Sequence, residues 1–280
     1  MQPAKAPPAR LLAISVGNTT TVGIAVTQQF VWTAIIIPTR KRFNPSTLRR
    51  LLRTSNLLPD AHVLLCGVVP EAVERLELFF RQRHGLKVWR FRKNLPCPLK
   101  ILPKPKRSVG DDRLAGALGA LAIDPSRPWV IIDCGTALTV NSVRPSKGKF
   151  KGVFEGGLIM PGERLSLKAL HEQTAQLPLL APWPPKPPMD LPVIGRSTQE
   201  AVRAGVRWAQ LGAMVAAAKA QAQRLGPRTR VVITGGGLDW VFQAAFKQLK
   251  RYHPTLSYEL VSDGLLAAWV HKNGPLFKQR

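Results

Sequence analysis

The sequence predicts an α/β protein built from two related lobes. Short apolar or β-branched runs alternate with amphipathic, helix-like segments along most of the 280 residues. The stretches AISVGNTTTVGIAV and IIDCGTALTVNSV have the same pattern: a strand, a Gly–Thr type of turn and a second strand. Because this pattern occurs once in each half, the halves are expected to be related and to face each other across a cleft. We place the N-terminal lobe at 1–115 and the C-terminal lobe at 116–280.

The N-terminal lobe is expected to begin with an antiparallel meander. Residues 11–16, 21–26 and 30–37 are three short apolar or β-branched runs separated by turn residues. A basic helix is predicted at 45–55, with Pro45 and Ser46 at its start. The remaining predicted elements are a strand in HVLLCGVVP, an amphipathic helix in EAVERLELFFRQRHG closed by Gly85, and a strand in LKVWRF.

A second series of elements follows a helix predicted from Asp111 to Ile123. Three strands are predicted in WVIIDCGT, ALTVNSV and KFKGVFEGG. Helices are expected at 161–175 and 197–224, joined by a loop too rich in proline to be regular. The chain is predicted to finish with a strand in TRVVITGGG, a helix in LDWVFQAAFKQLKRY, a short strand in LSYEL and a helix in DGLLAAWVHK.

The charge balance is strongly basic. The chain has 41 Lys and Arg against 16 Asp and Glu, a formal net charge of +25. Basic patches occur at 40–42, 49–50, 81–93 and 104–107, and such patches can hold nucleic acid or another polyanion. No helix-turn-helix, zinc-finger or RNA-recognition pattern accompanies them, so a solvated basic face is favoured and a polyanion partner stays open.

Composition also bears on the cellular location of the protein and on whether its cysteines form disulfides or bind metal. No run of about 18 uncharged apolar residues occurs, and the first residues lack the pattern of a signal peptide, so a cytoplasmic protein without membrane contact is expected. Cys66, Cys97 and Cys134 are far apart and odd in number. This usage argues against a disulfide framework and shows no metal-ligand spacing.

Two strand ends carry residues suited to phosphate. The first strand runs into Gly17, Asn18, Thr19 and Thr20, whose backbone N–H groups and short polar side chains can face an anion. In DCGTALT, Asp133 ends a strand before a Gly–Thr turn, and its carboxylate could hold a hard cation near phosphates. A third turn, ITGGG at 233–237, lacks the G-x-G-x-x-G spacing, which excludes a Rossmann dinucleotide site.

The stretch VGDDRLAGA offers a possible general base. Asp111 and Asp112 stand at the head of a predicted helix, where the helix dipole stabilises carboxylates. For Asp111, simple capping of the helix is an equally good interpretation. Asp112 lies beside Arg113, so a base would stand next to a cation able to hold an acidic substrate.

Together these motifs resemble the actin, hexokinase and sugar-kinase superfamily, whose two ribonuclease H-like lobes grip ATP. Within it, the chain resembles the type III pantothenate kinase family nearly end to end. The matching stretches, in order, are LLAISVGNTTTVGIAV, CGVVP, VGDDRLAGA, DCGTALT, GGLIMPGERLSLKALHEQTAQLP and IGRSTQEAVRAGV. CGVVP looks like the family's Ser-Val-Val-Pro strand and VGDDR like its Gly-x-Asp-Arg motif.

The resemblance implies an activity and a set of site residues. The activity is ATP-dependent phosphorylation of pantothenate to 4'-phosphopantothenate, the first step of coenzyme A biosynthesis, with Asp112 as general base. Asp133 would hold a monovalent cation, K+ or NH4+, and magnesium would accompany ATP. The implied ATP-binding residues are Ser15, Val16, Gly17, Asn18, Thr19, Thr20, Thr21, Val22 and Thr136. The implied pantothenate-binding residues are Gly110, Asp111, Asp112, Arg113 and Thr198.

The resemblance also implies a homodimer with its substrate site near the subunit interface. The Ala-rich helix predicted at 197–224 has small side chains that suit close helix packing. We therefore expect the dimer contact on that helix.

The chain departs from the family pattern at three places. Ser15 and Asn141 stand where the family carries Asp, and no Tyr precedes VGDDR. Two interpretations stay open. In one the enzyme works, with Glu155 or another nearby carboxylate supplying the lost charge. In the other the chain is a catalytically weakened or inactive kinase-fold protein with a binding or scaffolding role, for which nucleic acid or another polyanion is the candidate partner.

Overall fold

The computed structural model describes residues 8–27, 32–39, 43–183, 191–236 and 238–274 as a mixed α/β fold. These residues form two compact units. The N-terminal unit is the described part of Met1–Ile123, Ser146–Gly152 and Glu259–Arg280, and the second unit is the described part of Asp124–Pro145 and Val153–Tyr258. The lobes expected at 1–115 and 116–280 stay a prediction. The division into compact units places the described part of Glu259–Arg280 with the N-terminal residues.

The N-terminal unit contains a five-stranded mixed sheet in the order β3-β2-β1-β4-β5. The first three strands pair antiparallel, which confirms the predicted meander over the described residues. Strands β4 and β5 continue the sheet in parallel. The strands are β1 (Ala9–Val16), β2 (Thr20–Thr27), β3 (Trp32–Pro38), β4 (Leu57–Gly67) and β5 (Lys87–Arg90), and β6 (Leu99–Ile101) follows in the chain.

The helices of this unit are α1 (Pro45–Ser55), α2 (Pro70–His84), α3 (Asp111–Ile123) and α7 (Leu260–Asn273). Helix α1 begins where predicted, and the Asn44 side chain accepts a hydrogen bond of 2.7 Å from the Thr47 N–H. Helix α2 ends at Gly85, whose φ of +62° lies in the left-handed region that glycine adopts without steric cost. The buried apolar face of the sheet packs against α1 and α2.

Helix α7 lies in direct backbone contact with α3. A Cβ on Gly264 would come 1.7 Å from the Ala115 carbonyl oxygen, and one on Gly119 would come 2.0 Å from the Leu260 carbonyl oxygen. The α3–α7 contact therefore depends on glycine. The strand predicted in LSYEL was too long, because strand β11 covers only Thr255–Leu256 and Leu260 already belongs to α7.

The second unit contains five strands in the order β11-β10-β7-β8-β9. Strands β7 and β8 form an antiparallel hairpin, and β10 runs parallel to both β7 and β11. The elements not yet bounded are β7 (Trp129–Cys134), β8 (Ala137–Pro145), β9 (Gly152–Pro161), α4 (Glu163–Glu172), α5 (Thr198–Leu225), β10 (Arg230–Thr234) and α6 (Leu238–Leu249). Both predicted hydroxyl-rich turns therefore connect two antiparallel strands, β1 to β2 and β7 to β8.

Two further observations concern the fold as a whole. Within the described ranges, no helix combines the length and apolar character needed to cross a bilayer. The predicted proline-rich loop falls partly outside the described residues, as do the basic residues 40–42 and Gly237 of ITGGG.

Candidate active site

The turn between β1 and β2 presents an exposed polar tip. The Gly17 N–H donates a hydrogen bond of 3.0 Å to the Thr20 carbonyl oxygen, and Asn18, Thr19 and Thr20 are exposed. A side chain on Gly17 would press against that carbonyl, since its Cβ would lie 3.0 Å from the oxygen. The sequence therefore folds here into a tight turn whose hydroxyl and amide groups face solvent, as a phosphate site requires.

The predicted ATP-binding residue Thr21 has a different environment. Its side chain is fully buried, and its hydroxyl shares a hydrogen bond of 2.8 Å with the Thr39 hydroxyl. The Thr39 N–H in turn donates 2.8 Å to the Thr19 carbonyl oxygen. Thr21 thus fixes the turn against the end of β3. Val16 is also buried and Val22 is half-buried, so the exposed tip is the part that can present side chains to a ligand.

Ser15 lies in the sheet opposite Cys66. The two residues are paired in the parallel register of β1 and β4. Burial raises the pKa of the Cys66 thiol far above its ordinary value, the charge of Asp112 raises it further, and a hydrogen bond from Ser15 acts in the other direction. Cys66 is therefore a neutral thiol. Ser15 and Asp112 both interact with it, and so share one neighbourhood of the N-terminal unit.

Asp112 stands in the first turn of α3 and is half-buried. Burial raises the pKa of its carboxyl group, while the Arg113 backbone N–H, 2.8 Å from Oδ1, and the Arg113 charge oppose that rise. Gly110 leaves room for the carboxylate, because a Cβ there would lie 2.6 Å from Asp112 Oδ1. The result is a partly desolvated carboxylate beside a cation, the combination expected of a general base that handles an acidic substrate.

Asp111 is bound by Arg92 rather than acting only as a helix cap. Its Oδ1 accepts a hydrogen bond of 3.1 Å from the Arg92 guanidinium, and both side chains are about one quarter exposed. Burial raises the pKa of Asp111, and the hydrogen bond and charge of Arg92 counter it. The sequence did not single out Arg92, because it lies in the basic patch at 81–93, where no local pattern distinguishes one arginine from another.

In the second unit, Asp133 is the last residue but one of β7, beside a turn built on close backbone contacts. The Gly135 N–H donates 3.2 Å to the Ala137 carbonyl oxygen, and the Gly162 N–H donates 3.1 Å to the Thr136 carbonyl oxygen. Any Cβ on Gly162 would lie 2.5 Å or less from carbonyl oxygens of this turn. Gly162 was not singled out from the sequence, where PGE reads only as a helix start.

Gly235 connects the late glycine-rich turn to Asp133. It has a φ of +103°, and a Cβ there would come 2.6 Å from Asp133 Oδ1. The ITGGG turn thus packs against the predicted cation-binding carboxylate. The sequence marked these glycines as close-approach positions but did not reveal what they approach.

Three further predicted residues of the second unit have well-defined environments. Asn141 is buried, and its Nδ2 donates 2.9 Å to the Thr139 hydroxyl. Glu155 Oε1 accepts 2.5 Å from Arg144 Nε, so its charge is already balanced. Thr198 is the exposed first residue of α5, whose Ser197 cap accepts 3.2 Å from the Glu200 N–H.

The donor set around Asp133 suits a monovalent cation. Within the described ranges, no group of three His, Cys, Asp or Glu residues lies close enough to hold a metal ion. Asp133 contributes a single half-buried carboxylate, beside a turn whose Ala137 and Thr136 carbonyl oxygens accept backbone N–H groups. Such a set carries one negative charge, which fits a monovalent cation better than an all-protein site for a divalent one. The described residues around the first turn offer hydroxyls, so magnesium would have to arrive with ATP.

Comparison with known proteins shows the family. The sequence model of type III pantothenate kinase matches residues 11–220, three quarters of the chain. The chain belongs to the type III pantothenate kinase family. Among similar relatives, the type III pantothenate kinase of Phenylobacterium zucineum is 31% identical over 266 residues, covering 92% of this chain and 97% of the relative. That of Sphingopyxis alaskensis is 33% identical over 199 residues, covering 70% and 72%.

Solved structures show the fold of this family member. A candidate 2-dehydro-3-deoxygalactonokinase from Sinorhizobium meliloti superposes with a TM-score of 0.56 at 12% identity, covering 96% of this chain and 98% of the other. A candidate N-acetylmannosamine kinase from Listeria monocytogenes gives 0.50 at 11% identity, covering 94% and 99%. The predicted actin/hexokinase-like ATPase fold is confirmed, and the chain is a member of a kinase family.

Proposed function

We propose that the protein transfers the γ-phosphoryl group of ATP to pantothenate, giving 4'-phosphopantothenate for coenzyme A synthesis. The observation that carries this proposal is the carboxylate of Asp112 at the head of α3, half-buried, beside Arg113, in space left by Gly110. Membership of the type III pantothenate kinase family, including the Gly-x-Asp-Arg motif at these positions, supports it.

The proposed chemistry assigns one task to each group. The ionised Asp112 takes the proton of the pantothenate hydroxyl, and the resulting oxygen attacks the γ-phosphorus of ATP. The bond between that phosphorus and the bridging oxygen breaks, and the electron pair leaves with ADP. Arg113 binds the pantothenate carboxylate, and Gly110, Asp111 and Thr198 contact other parts of the substrate. The exposed turn Asn18–Thr20 and Thr136 face the ATP phosphates.

Two ions complete the proposed site. A potassium or ammonium ion held by Asp133 would supply positive charge near the phosphates, and Mg2+ bound to ATP would neutralise charge on the transferred group. The cation dependence is open to direct measurement. Turnover should fall when K+ is replaced by a large organic cation, and Asp133→Asn should weaken that response.

The decisive test is turnover by purified protein with ATP, Mg2+, K+ and pantothenate. Asp112→Asn should abolish phosphopantothenate formation while leaving ATP binding intact, because only the base is removed. Asp60→Asn, an exposed aspartate on β4 of the same unit, is the matched control and should keep full activity. Full activity in Asp112→Asn would remove the base assignment, and no turnover in the unsubstituted protein at saturating substrate would remove the proposed function.

We further propose a cytoplasmic homodimer. The contact is expected on α5, where Gly205, Trp208 and Gly212 are exposed and the small residues permit close helix packing. Sedimentation at increasing concentration measures the assembly state. Trp208→Lys should shift the protein toward monomer if α5 forms the contact.

A second candidate role is binding of a polyanion, specifically nucleic acid. Residues 86–110 contain eight Lys or Arg and no Asp or Glu, and residues 146–152 contain three Lys and no Asp or Glu. A hydrogen bond of 2.8 Å from the Lys151 N–H to the Pro98 carbonyl oxygen joins the two segments in the N-terminal unit. Six of the eight cations in the first segment are exposed, and such cations can bind a phosphodiester backbone. Salt-sensitive RNA binding tests this role.

A further inference from the structure

Arg92 holds three points of the segment that leads into α3. Its Nη1 donates 2.8 Å to the Val109 carbonyl oxygen and 3.1 Å to Asp111 Oδ1. Its Nη2 donates 3.0 Å to the Lys106 carbonyl oxygen. One side chain thus binds two backbone carbonyls and a carboxylate within six residues of sequence.

The backbone of Arg92 is itself fixed in an uncommon conformation. Its φ of +62° lies in the left-handed region, which residues with a Cβ seldom adopt. The turn that requires this φ is closed by hydrogen bonds from the Arg92 N–H to the Leu95 carbonyl oxygen, 2.8 Å, and from the Leu95 N–H to the Arg90 carbonyl oxygen, 2.9 Å. Because the Arg92 backbone is held in this closed turn after β5, its guanidinium can fix the position of the carbonyl and carboxylate groups that it binds.

The bound segment contains the proposed general base. Val109 and Asp111 flank Gly110, whose missing side chain leaves space for the Asp112 carboxylate. A shift of this segment would therefore move Asp112 relative to the substrate hydroxyl. Displacement of a reacting group by about 1 Å can cost about a hundredfold in rate.

We propose that Arg92 is a positioning residue for phosphoryl transfer. It acts through Asp111 and the backbone of residues 106–109, and sets where Asp112 stands at the head of α3. This inference rests on the proposed function, because it assumes that Asp112 is the base. In the Gly-x-Asp-Arg motif of this chain, the variable position is Asp111, whose carboxylate accepts the hydrogen bond from Arg92.

The chemistry of Arg92 explains why lysine would not replace it. A guanidinium has five N–H donors in a planar fork and can bind the carboxylate and both carbonyls at once. An ammonium group on a shorter side chain is a point charge that would keep the attraction to Asp111 and lose the fixed geometry. A positioning role therefore predicts partial function in Arg92→Lys, whereas a purely electrostatic role predicts full function.

The test measures kcat and the KM for ATP separately. Arg92→Ala should lower kcat about tenfold or more, with the KM for ATP within about twofold, since only the base is displaced. Arg92→Lys should be intermediate. Lys93→Ala is the matched control, because this neighbouring cation pairs with Glu77 of α2 at 3.7 Å and should leave both constants unchanged.

The outcomes separate this inference from the proposed function. A kcat for Arg92→Ala equal to that of Lys93→Ala would overturn the positioning role. If Arg92→Ala fails to fold, Arg92→Lys decides: an intermediate kcat supports the role, and an unchanged kcat overturns it. If Asp112→Asn keeps its activity, the base assignment fails and the inference fails with it. Loss of activity in Asp112→Asn with full activity in Arg92→Ala overturns the inference alone.

Discussion

Ser15 stands at the position in the first phosphate motif where the family resemblance implies an aspartate. Its hydroxyl hydrogen-bonds with the Cys66 thiol, and the charge of Asp112 helps to raise the pKa of that thiol. A neutral pair thus lies near the carboxyl ends of β1 and β4, where a carboxylate is expected. The chemistry that such a carboxylate would add is orientation of the magnesium ion on the ATP phosphates.

Restoring the carboxylate should therefore change magnesium dependence. Ser15→Asp is expected to raise kcat and lower the Mg2+ concentration needed for half-maximal rate, since each ~1.4 kcal/mol of transition-state stabilisation is worth about tenfold. Ser15→Asn is the control, because asparagine has nearly the same size as aspartate but carries no charge. Equal Mg2+ titrations for the two variants would show that charge at this position is unimportant.

The raised pKa of Asp112 has a consequence for the pH dependence of activity. Only the ionised carboxylate can accept the substrate proton, so activity is lost as pH falls through the pKa of Asp112. Burial raises that pKa, so the acidic limb of kcat/KM should lie above the ordinary aspartate value of about 3.9. Ser15→Asp adds a like charge in the same neighbourhood and should move the limb to still higher pH. A limb that stays in place in Ser15→Asp would show that the two positions are not electrostatically coupled.

At the scale of elements, the helix that carries Asp112 depends on its contact with α7. Gly119 and Gly264 bring the two backbones so close that no side chain fits at either position. Residues Leu114–Leu121 of α3 are buried, so this helix has little freedom to shift. The element that presents the proposed base is thus held by the C-terminal helix.

Gly264→Ala should destabilise the protein. The new Cβ would lie 1.7 Å from the Ala115 carbonyl oxygen, so α7 must move away, and overpacking of this kind costs about 1–3 kcal/mol. Gly116→Ala in α3 is the control, since its Cβ would meet only the Leu260 side chain at an ordinary 3.9 Å and alanine favours helix. Thermal unfolding of the two variants should shift in opposite directions. Equal melting temperatures would contradict the proposed closeness of α3 and α7.

At the scale of the whole molecule, charge is unevenly distributed along the chain. The basic excess of +25 includes the acid-free segments 86–110 and 146–152, which lie in the N-terminal unit. Exposed cations in these segments include Lys100, Lys104 and Lys151. A nucleic acid bound there would release counterions in proportion to the number of phosphates contacted.

The salt dependence of RNA binding tests whether this surface is the one used. Changing Lys100, Lys104 and Lys151 together to Gln should reduce the slope of log K against log salt by about two for single-stranded RNA. The charge-matched control changes Arg49, Arg50 and Arg53 of α1, which are also exposed, to Gln. Equal losses in the two triple variants would mean that net charge alone drives binding, and absence of binding at low salt would remove the second role.

Much of the fold and the identity of the family were accessible from the sequence. The bounds of α1, the glycine end of α2 and the three-stranded meander were predicted because hydrophobic period, caps and turn residues act over a few neighbouring positions. The ordered motifs from Gly17 to Thr198 likewise indicated the family that the comparisons show. The error at LSYEL came from five residues, too few for periodicity to separate a strand from the start of a helix.

The tertiary structure alone decided which distant residues meet. It paired Arg92 with Asp111, packed Gly235 against Asp133, and grouped the C-terminal helix with the N-terminal residues. These contacts join residues 19 to more than 100 positions apart, and no local pattern encodes them. The sequence by itself therefore determined the elements, the turns and the chemistry they offer. The folded chain determined which groups hold that chemistry in place, because long-range packing is specific only once both partners are positioned.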